Sequence, residues 1–211
     1  MRRKGFFITF EGIDGSGKTT QLKLTEKYLK NLKFDLLTLR EPGSTPLSER
    51  IRDILLDKKM TINPVSELLL YVSARADLVE RVIAPALREG KIILCDRFYD
   101  STIAYQGYGR RLDIDQVKRI NQMAVGDCKP DLTFLIDITY HKSLERRKKT
   151  SDRLEVESKA FFNRVRRGFI EIANQEKKRV IVLDGKKSPD KIFDEVKQCL
   201  RKKLSIKMPA G

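Results

Sequence analysis

Five short apolar runs recur along the chain: "FFITF" (6–10), "FDLLTL" (34–39), "KIILC" (91–95), "LTFLID" (132–137) and "RVIVLD" (179–184). Between them lie longer stretches in which apolar residues return every three or four positions. Runs of this kind, apolar on both sides, suit strands covered on both faces, and their alternation with helices predicts an α/β fold around a five-stranded parallel sheet. The periodicity predicts helices over about 17–32, 46–57, 65–89, 99–107, 114–125, 141–150, 157–177 and 189–204. The most regular is 65–89, where Leu68, Val72, Ala76, Val79, Ile83 and Ala86 form one core-facing stripe. Pro85 is expected to kink it near its end, because proline removes one backbone donor and crowds the preceding turn.

Length and composition change this picture little. A chain of 211 residues, 40% of them hydrophobic, can bury a substantial core, so a single domain over 1–204 with a loose tail at 205–211 is expected. No run approaches the ~18 apolar residues of a membrane span. The basic start "MRRKGFFITFEG" has too short an apolar run for a secretory signal. Cys95, Cys128 and Cys199 lie far apart with no metal-site or disulfide spacing, which fits a reducing compartment. The expectation is a soluble, cytoplasmic protein with no membrane partner.

Charge says more. Forty-four Lys and Arg against 29 Asp and Glu give +15, which favours anionic partners through long-range attraction. The 35% of charged residues equally suits the ion-rich surface of a heat-adapted protein. The segment 142–167 carries ten Lys or Arg against four acids. It reads either as a solvated face or as a mobile cover over an anion; the second reading places a lid at about 141–156.

The first apolar run leads into "GIDGSGKT", Gly12 to Thr19, which satisfies G-x-x-x-x-G-K-[ST] between a predicted strand and a predicted helix. Its glycines let successive N–H groups face one hollow at a helix N-terminus, the arrangement that binds polyphosphate. The fold class is therefore the three-layer P-loop NTPase fold. Gly12, Ile13, Asp14, Gly15, Ser16, Gly17, Lys18, Thr19 and Thr20 form the candidate ATP-binding set. Lys18 is expected on the β- and γ-phosphates and the Thr19 hydroxyl on Mg²⁺. Asp14 either caps the loop or faces a cation or the second substrate. No arginine lies among Ile13, Asp14, Gly15 and Ser16, so charge on a moving phosphoryl group must be met from elsewhere.

A second anion site follows the third run. In "CDRFYDSTIAYQG", Asp96 closes a strand where it would face magnesium. Arg97, Ser101 and Tyr105 recur every four residues, with Thr102 and Gln106 beside them; one guanidinium and several polar groups on a helix face would hold a phosphate and a nucleoside. Tyr71 and Arg75, also four apart, pair an aromatic ring with a guanidinium and read either as core or as a base-binding platform. "REPGST" (40–45) adds Arg40 and the Pro42 turn at the same sheet edge.

Taken together, "FEGIDGSGKTTQ", "LREPGST", "LLLYVSARADLVE", "DRFYDSTIAYQG", "KPDLTFLID" and "DRLE" resemble the thymidylate kinase family, in family order from residue 8 to about 155. The resemblance implies transfer of the ATP γ-phosphate to dTMP, with Mg²⁺, in a homodimer that has no nucleic-acid partner. It implies that Asp14 stands near the acceptor, that Arg97 bridges donor and acceptor phosphates, and that Arg40 lies near the monophosphate. Arg75 would bond thymine, and Tyr71 would stack on it where the family usually has phenylalanine. Ser101, Thr102, Tyr105 and Gln106 would line the nucleoside site, with the tyrosine excluding a ribose 2′-hydroxyl. Because the P-loop lacks an arginine, the resemblance points to the bacterial arrangement with a basic lid, "LERRKKTSDRLE" (144–155). Arg153 is its first candidate for the catalytic cation, followed by Arg147 and Arg146. Ser44 replaces a common glycine and stiffens its turn. The rival readings are another nucleotide or deoxynucleoside kinase and a nucleic-acid-stimulated ATPase; a GTPase lacks its Asn-Lys-x-Asp guanine reader here.

Overall fold

The computed structural model describes residues 5–147 and 152–205. The expected basic lid lies partly outside these residues, as does most of the expected tail. Parallel strands β1 (Phe6–Glu11), β2 (Leu36–Arg40), β3 (Ile92–Asp96), β4 (Leu132–Asp137) and β5 (Val180–Asp184) pair in the order β2-β3-β1-β4-β5. All five apolar runs become strands.

The central strand β1 shows why. Its Ile8 and Phe10 join Leu22 and Leu29 of α1 (Lys18–Asn31) and Ile192, Val196 and Leu200 of α9 (Pro189–Lys203). Phe7, one step out of phase, joins Leu78, Ile83 and Phe98 on the opposite face. Each such side chain contributes roughly 1.5–3 kcal/mol by leaving water, so a sheet apolar on both faces is held between two helical layers. In register, Phe10 lies opposite Asp96, and Asp96 opposite Arg40. The ends of β1, β2 and β3 therefore bring the P-loop, "DR" and "REP" segments to one carboxyl edge, where open α/β sheets bind ligands.

Helices α2 (Pro46–Leu56) and α3 (Pro64–Leu78) each begin with proline behind a side-chain cap. Thr45 Oγ1 accepts from the Ser48 N–H at 3.1 Å and Asn63 Oδ1 from the Ser66 N–H at 2.9 Å, each satisfying a donor the helix leaves open.

The single stripe expected over 65–89 is not continuous. A π-helical turn, Val79–Ile83, joins α3 to α4 (Ala84–Glu89), and its Ala84 N–H reaches the Val79 carbonyl. The turn adds a residue, which rotates the buried face. Before it Leu68, Ala74, Arg75 and Leu78 are buried; within it Val79 and Ile83 are, and after it Ala86, while Ala76 is exposed. Pro85 sits just beyond, and it has no N–H to bond the Arg81 carbonyl in a regular turn.

The helix expected over 99–107 also changes character: α5 (Tyr99–Thr102) passes into a second π turn, Ile103–Gly109. Against it packs α8 (Lys159–Gln175), through two glycines. A Cβ on Gly109 would lie 2.7 Å from the Phe161 ring of α8, and one on Gly168 of α8 would lie 2.7 Å from the Tyr108 ring. The remaining helices are α6 (Ile114–Val125) and α7 (Tyr140–Arg146). Among the described residues no helix is long and apolar enough to cross a membrane.

Candidate active site

Beyond β1 the chain turns at Gly12, whose φ of 138° puts a hypothetical Cβ 2.5 Å from the Ile136 carbonyl oxygen, so only glycine fits. Gly17, at φ 103°, heads α1 and has nothing within 4 Å of its Cβ position: its open side is a hollow of about 720 Å³. The loop from Asp14 to Gln21 lines this hollow together with Arg146, Arg147, Glu155 and Lys187. The first N–H groups of α1 lack intrahelical acceptors and carry its positive dipole end. The Ser16 hydroxyl and Arg147 Nη2 are buried without partners. An orphaned hydroxyl in the loop that heads a helix suits an oxyanion. Lys18 Nζ donates to the Ile13 carbonyl at 3.1 Å, and burial followed by the nearby Arg97 holds its pKa below the usual lysine value.

Thr19 Oγ1 donates to Asp96 Oδ2 at 2.6 Å, so the expected magnesium pair is adjacent. A hydroxyl and a carboxylate are hard oxygen ligands of the kind Mg²⁺ takes. Among the described residues no cluster of three or more His, Cys, Asp or Glu could hold a metal.

Across Asp14 lies a second hollow, of about 100 Å³, lined by Pro42, Tyr71, Arg75, Arg97, Ser101, Thr102, Tyr105 and Gln106, all anticipated from sequence. Arg97 has a left-handed backbone, φ 69°. Its Nη1 donates to the Gly12 carbonyl at 3.0 Å and to Ser101 Oγ at 3.1 Å, and Nη2 pairs with Asp14 Oδ1. Its guanidinium lies over the Tyr105 ring, 5.2 Å from the centroid. Burial alone would raise the Asp14 carboxyl, but Arg97 and then Lys18 hold it well below the usual carboxylate range. The acid in the P-loop is thus the anchor of the second site's arginine.

Arg75 is buried and its donors are largely committed. Nε and Nη2 donate to Glu41 Oε2 at 2.9 and 2.7 Å, Nη2 also to Thr102 at 2.9 Å, and Nη1 to Asn121. Of five N–H groups one Nη1 hydrogen remains, a single directed donor. Tyr71 is half-buried on the wall; burial, then Glu67, push its phenol pKa up. Tyr105 is nearly sealed, and Gln106 donates to Glu67 at 2.8 Å.

Two anticipated arginines stand apart from these hollows. Arg40 forms an exposed ion pair with Glu49 at 2.6 Å, and Arg52, which donates to the Pro42 carbonyl at 2.9 Å, lines the second hollow instead. Arg153 donates to the Leu55 carbonyl at 2.8 Å and pairs with Glu67 at 2.6 Å, and it is not among the residues lining either hollow. Arg146 and Arg147 reach the P-loop hollow because α7 crosses it: Ser143 Oγ donates to the Asp14 carbonyl at 2.6 Å. Ser44 has φ 71°, a conformation costing a side chain about 1–2 kcal/mol that glycine adopts freely; its N–H donates to Glu49 at 2.7 Å.

Glu41, Arg52, Glu67 and Asn121 were not singled out from sequence. Glu41 carried a signal, an acid between a strand-end arginine and a proline. Asn121 sits on α6, far along the chain, with none.

A P-loop facing a guanidinium-lined second pocket on a 2-3-1-4-5 parallel sheet defines a nucleoside monophosphate kinase. The chain belongs to the thymidylate kinase family, whose model, described as thymidylate kinase, matches residues 10–196. It is 49% identical over 202 residues to a thymidylate kinase of Thermoanaerobacter sp. (strain X514), covering 95% of this chain and 100% of that one. To one from Kosmotoga olearia it is 45% identical, covering 93% and 97%. The crystal structure of thymidylate kinase from Ehrlichia chaffeensis aligns with a TM-score of 0.78 at 37% identity, over 94% of this chain and 99% of that one.

Proposed function

We propose that the chain transfers the γ-phosphoryl group of ATP to dTMP, giving dTDP and ADP, as one kinase domain spanning 1–204. The observation that carries this reading is Asp14: it belongs to the P-loop and also anchors Arg97, so the donor and acceptor hollows share a wall. The triphosphate lies on the Gly12–Thr20 loop with Lys18 and the Ser16 hydroxyl as donors. Thr19, and Asp96 through water, would hold Mg²⁺, which supplies charge neutralisation on the phosphate oxygens. Arg97 and Arg52 hold the acceptor phosphate. The remaining Arg75 hydrogen donates to a base carbonyl, which favours thymine or uracil over cytosine, whose exocyclic group there is an amine. No general base is assigned, since phosphoryl transfer is catalysed by positioning and charge.

For the charge on the moving group we choose Arg147 ahead of Arg153. Arg147, which lines the P-loop hollow, has an uncommitted nitrogen, whereas Arg153 is committed to a buried carboxylate.

A coupled ADP-release assay with dTMP, dUMP, UMP, dCMP and thymidine tests the assignment. We expect dTMP to be used best, UMP poorly because Tyr105 closes the sugar side, and dCMP and thymidine hardly at all. Preference for dCMP or thymidine would move the chain to another kinase activity.

We also propose a homodimer in a reducing cytoplasm. Leu47 and Ile54 lie exposed seven residues apart on α2, Val65 and Leu69 four apart on α3, and Met123 on α6. Helices α2 and α3 pack together, as do α3 and α6, and we take these exposed residues as the apolar surface that a second copy would cover. Sedimentation should give a dimer for the native chain and a monomer for Leu69→Lys; a native monomer would remove the proposal.

A further inference from the structure

Glu11, the last residue of β1, is fully buried, and both its oxygens are occupied. Oε1 accepts the Phe98 N–H at 2.7 Å, and Oε2 accepts the Ser101 hydroxyl at 2.6 Å. Burial, and then Asp100, push its pKa up, while the Ser101 hydroxyl, Arg97 and the Phe98 N–H favour the ionised form, the one in which both oxygens accept. Its two donors flank Arg97 in the structure, although Glu11 is 86 positions away in sequence (97 − 11).

Arg97 is held in a left-handed conformation, which a side chain avoids unless its surroundings impose it. On one side its own N–H is bonded to the Phe10 carbonyl at 3.0 Å. On the other the next N–H, that of Phe98, is bonded to Glu11. These two bonds fix the peptide planes before and after the residue. The side chain is aimed by the same carboxylate. Because the Ser101 hydroxyl donates to Glu11, its oxygen lone pairs are left for Arg97 Nη1, which donates to it at 3.1 Å.

We propose that Glu11 is a positioning residue for the acceptor phosphate, holding Arg97 in its left-handed backbone and, through Ser101, aiming its guanidinium beside Asp14. This rests on the reading of Arg97 as an acceptor-phosphate ligand. Glutamine at position 11 keeps the volume but offers one acceptor oxygen and an NH₂. Either the Phe98 N–H or the Ser101 hydroxyl then meets a donor.

Steady-state kinetics on the full chain test the idea with Glu11→Gln, Ser101→Ala and Arg97→Ala. Glu11→Gln is expected to raise the KM for dTMP about tenfold, as the loss of one hydrogen bond to a charged group would, while leaving the KM for ATP within about twofold. Ser101→Ala cuts only the side-chain arm and should move the dTMP KM in the same direction by less. A merely structural role for Glu11 would weaken both substrates together, and that result overturns the proposal. Wild-type dTMP affinity in Glu11→Gln, with Arg97→Ala strongly impaired, also overturns it while leaving the acceptor site standing. Wild-type dTMP affinity in Arg97→Ala removes the acceptor reading itself. If Glu11→Gln does not fold, Ser101→Ala decides: a selective rise in the dTMP KM supports the chain of contacts, and an unchanged KM breaks it.

Discussion

Arg147→Ala is expected to lower kcat by about 10³, the lower end of the range for a cation that meets charge on a transferring phosphoryl group, with the KM for ATP within a few-fold of wild type. The side chain is already fixed for that task. Nε donates to Ser143 Oγ and Nη1 to the Glu155 carbonyl, each at 2.9 Å. The guanidinium lies 4.3 Å from the Phe162 ring centroid, which stabilises the charge without using a hydrogen-bond donor. What remains is Nη2, buried and unpartnered, on a residue that lines the P-loop hollow. Arg147→Lys should recover only part of the rate, because an ammonium cannot reproduce the planar fork. Arg153→Ala should behave differently. It removes one partner of the buried Glu67, so we expect a loss of about 2 kcal/mol of stability and a higher dTMP KM, with a smaller fall in kcat. A coupled assay and a denaturant melt separate the two; loss of turnover confined to Arg153→Ala would exchange their roles.

Arg97→Ala is the second large effect: kcat/KM for dTMP should fall by about 10³, and the acid stability of the protein should change as well. Asp14 has its carboxyl pKa depressed in the folded state by Arg97 and Lys18. A depressed carboxylate contributes stability that is present above its ordinary value near 4 and is lost as pH falls below that value, because the unfolded chain takes up the proton first. Without Arg97 much of that contribution disappears, so the gap in stability between wild type and variant should be widest near neutrality and narrow in acid. Thermal melts from pH 3 to 7 measure it. A gap independent of pH would mean that the Arg97–Asp14 pair adds little to folding.

The strands were legible because burial on both faces writes itself as an uninterrupted apolar run. The P-loop was legible because Gly12 and Gly17 meet local steric demands that no other residue satisfies. The stripe on 65–89 misled at Ala76, since a π turn adds a residue without leaving any mark in the periodicity. The arginines were the hardest to place. Arg40 and Arg52 carry the same charge at neighbouring elements, and which of them faces the hollow depends on Glu49 capturing one and the Pro42 carbonyl the other. Arg153 and Arg147 are six residues apart, and their separation in space is decided by Glu67 and Ser143, partners that no local pattern reveals. Glu11 had a faint signature, a lone acid closing an apolar strand ahead of a glycine, but its donors lie on another strand's end.

The paired glycines behind the acceptor wall limit what this part of the molecule can tolerate. Tyr108 fills the notch above Gly168 while Phe161 fills the one above Gly109, so the π turn and α8 are keyed together like two cogs. A methyl group at either notch would wedge them apart. The disturbance would pass to Tyr105, which sits edge-on to Phe161 at 6.1 Å. Such a lesion would blunt nucleoside recognition from a distance while touching no ligand, and a survey of inactivating changes would find it in a place where no chemistry occurs.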